Sequence, residues 1–127
     1  MSKIIGITGW KDVGKTHYAS LIIKSLVKKG YQVGSIKHAH HDFDIDKPGT
    51  DSFKHREAGS SQAIISSAKR WAKITENNNE NEKSLDELIQ EFHNVEIVVV
   101  EGFKKDNHPK IEILTKGSNN RNKEIKN

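Results

Sequence analysis

The apolar positions of this chain fall into short blocks whose period alternates between that of a strand and that of a helix. Ile4, Ile5 and Ile7 form a compact run that reads as a buried strand. From Thr16 to Lys29, the residues Ala19, Ile22, Ile23, Leu26 and Val27 recur at helical spacing, and Gly30 follows as a stop. Gln32 to Ile36 predicts a short strand, and "KHAHHDFDIDKPGTDS" after it is a polar loop broken by Pro48 and Gly49. Thr50 or Asp51 caps a brief helix through Glu57 that closes at Gly59. "AIIS" then supplies a strand, "WAKIT" a hairpin partner, and "NNNENE" a solvated loop. Ser84 with Glu87 forms a capping box for a helix to Phe92. "VEIVVV" ends in four consecutive apolar residues and predicts a buried strand, and "KIEIL" is a last strand.

Strands alternating with helices imply a mostly parallel sheet with right-handed crossovers and helices on both faces, a three-layer α/β/α architecture. Ligands of such sheets bind beyond the carboxyl ends of the strands. Four strand ends are expected to converge on that edge: Gly9 to Thr16, then Lys37 and His38, then Ser66 and Ser67, then Glu101 and Gly102. Residues 1–115 read as one domain, and the polar stretch 116–127 has no apolar face and is expected to be disordered.

The turn after the first strand gives this architecture its chemistry. In "GITGWKDVGKTH", Gly9, Gly14, Lys15 and Thr16 fit G-x-x-x-x-G-K-[ST], the phosphate loop, with a strand before it and an amphipathic helix after it. The glycines let backbone N–H groups point at phosphates, and the helix adds the positive end of its dipole. Residues Gly9, Trp10, Lys11, Asp12, Val13, Gly14, Lys15, Thr16 and His17 are therefore the nucleotide-binding set, in a P-loop NTPase fold. Lys15 is expected to reach the β- and γ-phosphates, and Thr16 to offer its hydroxyl to Mg²⁺. Lys11 reads equally as a second phosphate contact or as a solvated loop lysine. Glu101, at the end of the apolar "IVVV", supplies the second acid needed to hold the water shell of Mg²⁺ opposite Thr16. Lys15 and Glu101 are the catalytic candidates.

Composition narrows the partners. Lys plus Arg number 21 against 17 Asp plus Glu, a formal charge of +4 that suits a phosphorylated small ligand. No basic stripe interleaved with aromatics points to nucleic acid. Cysteine is absent, which excludes disulfides, thiolate metal sites and cysteine nucleophiles. No apolar run reaches membrane-spanning length, so a soluble cytoplasmic protein is expected.

The loop with His38, His40, His41, Asp42, Asp44 and Asp46 offers ligand types suited to Zn²⁺ or Ni²⁺, but its spacing fixes no tetrahedron. Its acids suit better a segment that orders when Mg²⁺ and triphosphate bind together. Asp46 is on this ground a third candidate metal residue, and Lys37, at the start of the loop, a candidate for linking nucleotide state to a partner. "ILTKGS" approaches the guanine-reading [NT]-K-x-D signature, but Ser118 stands where the Asp is required.

Together, "GWKDVGKT", "IKHAHHDFDIDKPGTDSFKHREAG" and "VVVEGFKKDNHPKIEIL" resemble the MobB family of molybdopterin-guanine dinucleotide biosynthesis adaptor proteins, in order and spacing from Lys3 to about Leu114. The resemblance implies a homodimer that binds GTP with Mg²⁺ and hydrolyses it weakly. It further implies assistance to the guanylyltransferase that attaches GMP to molybdopterin, with molybdopterin itself as a further candidate ligand. Carried over by residue, it puts phosphates on Gly9 to Thr16 and Mg²⁺ near Thr16 and Glu101. It assigns Lys37, His38, Asp46, Asp51 and Lys104 to a partner or substrate loop. His17 replaces a threonine common in the family, and members usually continue past "KIEIL" through another strand and helix. A small-molecule kinase and a nickel-type metal-insertion GTPase are the alternatives. The first would need lid arginines, and the chain has only Arg56, Arg70 and Arg121.

Overall fold

A computed structural model describes residues 2–9, 14–39, 42–77 and 81–114. They divide into two compact units, 1–40 with 83–127, and 41–82. The first unit contains β1 (Lys3–Gly9), α1 (Lys15–Lys28), β2 (Val33–Lys37), α3 (Leu85–Ile89), β5 (Ile97–Glu101) and β6 (Lys110–Ile113); the second contains α2 (Asp51–Glu57), β3 (Gln62–Ser66) and β4 (Trp71–Thr75).

The first unit is built on a four-stranded sheet in the order β2-β5-β1-β6, with every neighbouring pair parallel. Alternation along the strands sends side chains to opposite faces, and each face takes a helix. On one, Ile7 and Val99 pack with Ala19 of α1, and Ile22, Ile23 and Leu26 extend the contact. On the other, Val98 and Val100 pack with Leu85 of α3, joined by Ile4, Ile36, Ile89 and Phe92. β5 has a strand on each side and a helix on each face, which is why "IVVV" is apolar throughout. Ile7, Val98, Val99 and Val100 are the largest fully buried side chains, each worth roughly 1.5–3 kcal/mol in transfer from water.

Local signals fix the helix ends. At the C-terminus of α1, the Tyr31 N–H donates to the Leu26 carbonyl and the Gly30 N–H to that of Val27, the paired bonds of a Schellman turn. At the start of α3, the capping box is complete: the Glu87 N–H donates to Ser84 Oγ and the Ser84 N–H to Glu87 Oε1. The bond from the Ser84 backbone N–H, with the Ser84 side chain second, holds the Glu87 carboxyl below its ordinary pKa.

The hairpin of "AIIS" with "WAKIT" forms as read, but the third strand is not part of the parallel sheet, as the expected convergence of four strand ends required. β3 pairs antiparallel with β4 in a separate two-stranded sheet. Only residues 67–70 join them, too few for a parallel crossover, and Ser67 Oγ accepts from the Lys69 and Arg70 N–H groups to close the turn. Ser66 and Ser67 thus belong to a hairpin. The fourth strand of the parallel sheet is β6, reached from β5 by residues 102–109 without a helix.

Candidate functional site: a threonine, a glutamate and a lysine at the strand ends

Glu101 ends β5 and lies in register with Ile7 of β1 and Lys37 of β2. Its carboxylate is therefore delivered to the carboxyl edge of the sheet, and the first turn of α1 faces it. Thr16 Oγ1 lies 3.0 Å from both Glu101 oxygens, to which its hydroxyl donates. Lys37 Nζ donates to Glu101 Oε2 at 3.0 Å. The Glu101 side chain retains 13% of its exposure and that of Lys37 65%, so the carboxylate is recessed and the ammonium approaches from solvent.

The backbone after Glu101 is held in an unusual path. Gly102 has φ 105° and Phe103 φ 52°. A Cβ at Gly102 would lie 2.7 Å from His38 Cβ, so a side chain there meets both strain and a steric block. The His38 N–H donates to the Glu101 carbonyl at 2.9 Å. The His38 ring stacks on Phe103 with centroids 4.4 Å apart and planes at 21°. One backbone bond and one stack, both made by His38, thus fasten the end of β2 to the end of β5 next to the Lys37–Glu101 pair.

At the other side of the site, Gly14 is the N-cap of α1 at φ 89°, a left-handed conformation that glycine adopts without penalty. The cap makes no side-chain hydrogen bond, and the first turn carries no acidic residue. That leaves the backbone N–H groups of the first turn and the positive helix end without an acidic side chain of the first turn beside them. Lys15 opens the helix, and His17 meets Tyr18 edge-to-face at 5.5 Å. Trp10, Lys11, Asp12 and Val13 lie outside the described residues, as do His40, His41 and Ser118.

Asp46 and Asp51 belong to the second unit. Asp51 is the first residue of α2 and exposed. Asp46 is buried and bound by Arg56, whose Nε lies 3.3 Å from Asp46 Oδ2. The same guanidinium reaches Asp44 at 3.0 Å and Glu76 at 3.2 Å, and lies over the Phe53 ring. The hydrogen bond from Arg56 holds the Asp46 carboxyl below its usual range against the opposing effect of burial, with Ser52 assisting. Sequence reading assigns the loop acids to metal sensing and overlooks Arg56. Three carboxylates placed ten, twelve and twenty residues from one arginine leave no local pattern. Lys104 is exposed on the segment after Glu101.

His108 and Lys110 escape sequence reading too. Both are buried, and the Lys110 ammonium donates to the carbonyls of His108 and Asp106. Burial first, and the Lys110 charge second, push the His108 pKa down, while Asp106 opposes them. Among the described residues no group of three or more His, Asp or Glu side chains is placed to hold a metal ion. Thr16 with Glu101 fits a different ion: one hydroxyl and one carboxylate are hard oxygen donors of the kind that hold Mg²⁺ together with water and phosphate. Among the described residues no helix is long and apolar enough to cross a membrane.

Comparison with known proteins bears directly on this arrangement. The family model "Molybdopterin guanine dinucleotide synthesis protein B" matches residues 4–127. The molybdopterin-guanine dinucleotide biosynthesis adapter protein of Escherichia coli is 37% identical over 127 residues, covering 98% of this chain and 73% of that protein. The adapter protein of Haemophilus influenzae is 43% identical over 110 residues, covering 85% of this chain and 61% of that one. The chain thus spans roughly two thirds of the length of these relatives. The crystal structure of Bacillus subtilis MobB superposes with a TM-score of 0.71 at 26% identity, covering 89% of this chain and 68% of that one. A crystal structure of molybdopterin-guanine biosynthesis protein B gives 0.74 at 21% identity, covering 98% and 78%. With the match running through the phosphate loop, Glu101 and "KIEIL", the chain belongs to the MobB family and has its P-loop α/β fold.

Proposed function

We propose that this chain is a GTP-binding adaptor of molybdenum cofactor biosynthesis, which binds nucleotide with Mg²⁺, hydrolyses it slowly and assists the guanylyltransferase that attaches GMP to molybdopterin. The observation that carries the nucleotide half is the Thr16–Glu101 contact, made across 85 positions of sequence beside the N-terminus of α1. In that geometry the Thr16 hydroxyl spends its proton on Glu101, which turns its lone pairs toward a cation. Glu101 keeps acceptor capacity for metal-bound water. Lys15 and the N–H groups of the first turn hold the phosphates, and Lys37, His38 and Lys104 stand at or beside the strand ends where a partner or pterin phosphate is read. When bound, Mg²⁺ supplies the charge that offsets the triphosphate.

The adaptor half rests on the family, whose relatives carry that role in their names. A homodimer is part of the same reading. In the hairpin unit, Ile64, Ile65 and Trp71 are exposed, apolar area suited to cover by a second copy. Titration of the protein with GTP and with ATP, each with Mg²⁺, tests the nucleotide assignment, and preference for GTP is expected. Turnover measured with and without the guanylyltransferase separates an adaptor from a self-sufficient hydrolase. Equal affinity for both nucleotides, or none for either, overturns the assignment.

A further inference from the structure

Glu101 is the carboxylate on which the metal reading depends, and a cation of the protein's own already holds it. Lys37 Nζ sits 3.0 Å from Glu101 Oε2 on the solvent side, while Thr16 Oγ1 touches both carboxylate oxygens from the helix side. The lysine is delivered there by register: Lys37 and Glu101 are directly paired on β2 and β5, and the His38 N–H bond to the Glu101 carbonyl keeps the two strand ends from separating. The Lys37 side chain is mostly exposed and the Glu101 side chain recessed, so the ammonium can leave by rotating its own flexible stem without disturbing the sheet.

We propose that Lys37 is an internal stand-in for the divalent cation, a latch that competes with a bare metal ion for Glu101 and yields to the metal–triphosphate complex. The inference rests on the Mg²⁺ reading of Thr16 and Glu101 given above and adds a specificity-determining residue to it. Its physical content is a difference between two ligands. A bare divalent cation must displace the ammonium and then sit beside the displaced positive charge. A metal–triphosphate complex brings net negative charge, so the released ammonium gains phosphate oxygens in exchange for the carboxylate. The latch therefore disfavours the metal alone and favours metal and triphosphate together. An ion pair as exposed as this one is weak, changing an equilibrium by up to about fivefold, enough to bias loading without blocking it.

The test titrates nucleotide-free protein with Mn²⁺ as the probe ion, reading free Mn²⁺ by electron paramagnetic resonance. Lys37→Met is expected to bind Mn²⁺ about two- to fivefold more tightly than the unsubstituted chain, and Lys37→Arg to match the unsubstituted chain. The double substitution Lys37→Met with Glu101→Gln is expected to lose the gain. In a second arm, Lys37→Met is expected to weaken binding of the Mn²⁺–triphosphate complex, the opposite sign from its effect on the bare ion. Equal or weaker binding of bare Mn²⁺ by Lys37→Met overturns the latch, as does the same sign in both arms. The underlying metal reading fails separately, if Glu101→Gln leaves the Mg²⁺ dependence of triphosphate binding unchanged.

Discussion

Replacing Gly102 by alanine tests whether the site is held by the path of the backbone after Glu101. At φ 105° any residue with a Cβ is strained, which costs about 1–3 kcal/mol. The added Cβ would also lie 2.7 Å from His38 Cβ, where ordinary contact begins at 3.4 Å. That neighbour is not the loose end of a long side chain. It is fixed by a backbone bond to Glu101 and by the stack on Phe103, so relief of the clash must move the end of β2. Overpacking of this kind adds about 1–3 kcal/mol. Gly30 supplies the internal control, because its φ is 97° and a Cβ there meets nothing within 4 Å. Gly30→Ala thus carries the strain without the clash. With a urea slope of about 2 kcal/mol per M, the midpoint of Gly102→Ala should fall about 0.5–1.5 M further than that of Gly30→Ala. Affinity for Mg²⁺–triphosphate, titrated under conditions where both variants are folded, should drop for Gly102→Ala alone. Equal midpoints and equal affinities in the two variants would refute the claim that His38 and Gly102 jointly position Glu101.

Lys15→Ala should abolish triphosphate binding while leaving the unfolding free energy from urea titration within about 0.5 kcal/mol of the unsubstituted chain, since Lys15 serves the ligand rather than the core; retained affinity by titration calorimetry would contradict the phosphate-loop assignment. Glu101→Gln should reduce Mg²⁺-dependent phosphate release more than nucleotide binding, because the amide keeps the shape but loses the charge that orients the metal's water shell; equal losses in the two assays would count against the metal role. His108 is buried with its pKa below the ordinary 6.5, so the unfolded chain binds its proton more readily than the folded one. The stability it contributes is complete above pH 6.5 and declines as pH falls from there through the lower folded value. Urea midpoints of His108→Leu should lack that decline. Asp46, lowered from 3.8, follows the usual carboxylate pattern: its contribution is present above that value and is lost on acidification through the folded one, and Asp46→Asn should remove this acid-side loss.

The elements legible in the sequence are those whose signals are local. The 3.6-residue period of Ala19, Ile22, Ile23 and Leu26, the Ser84–Glu87 box and the uninterrupted "IVVV" each report a constraint satisfied within a few residues, and each element forms there, although α3 ends at Ile89, short of the Phe92 expected. The phosphate-loop motif is a local signal of the same kind, and its residues 10–13 lie outside the described residues. Strand order is not a local signal. "AIIS" satisfies the requirements of a parallel strand and of a hairpin equally well, and only the four-residue connection to "WAKIT" separates them. That connection is the decisive fact, since four residues are too few to carry the chain back to the start of a parallel partner.

The acids show where residue type misleads. Asp44, Asp46 and Glu101 are equally good metal ligands by chemistry, but their surroundings divide them. Glu101 ends a buried strand, so the sheet fixes it at an edge where Thr16 meets it and one side stays open to an incoming group. Asp44 and Asp46 share Arg56 with Glu76, and Asp46 is closed off as well by burial. To ligate a metal, Asp46 must first leave an arginine whose own pKa these carboxylates push up, an exchange that strands the guanidinium unless another acid replaces it. Glu101 faces a smaller obstacle, because an exposed lysine leaves into water and can re-pair with phosphate. The difference in reach between a part-buried guanidinium shared by three carboxylates and a solvent-exposed ammonium makes Glu101 the carboxylate open to exchange and Asp46 the one tied into its own unit.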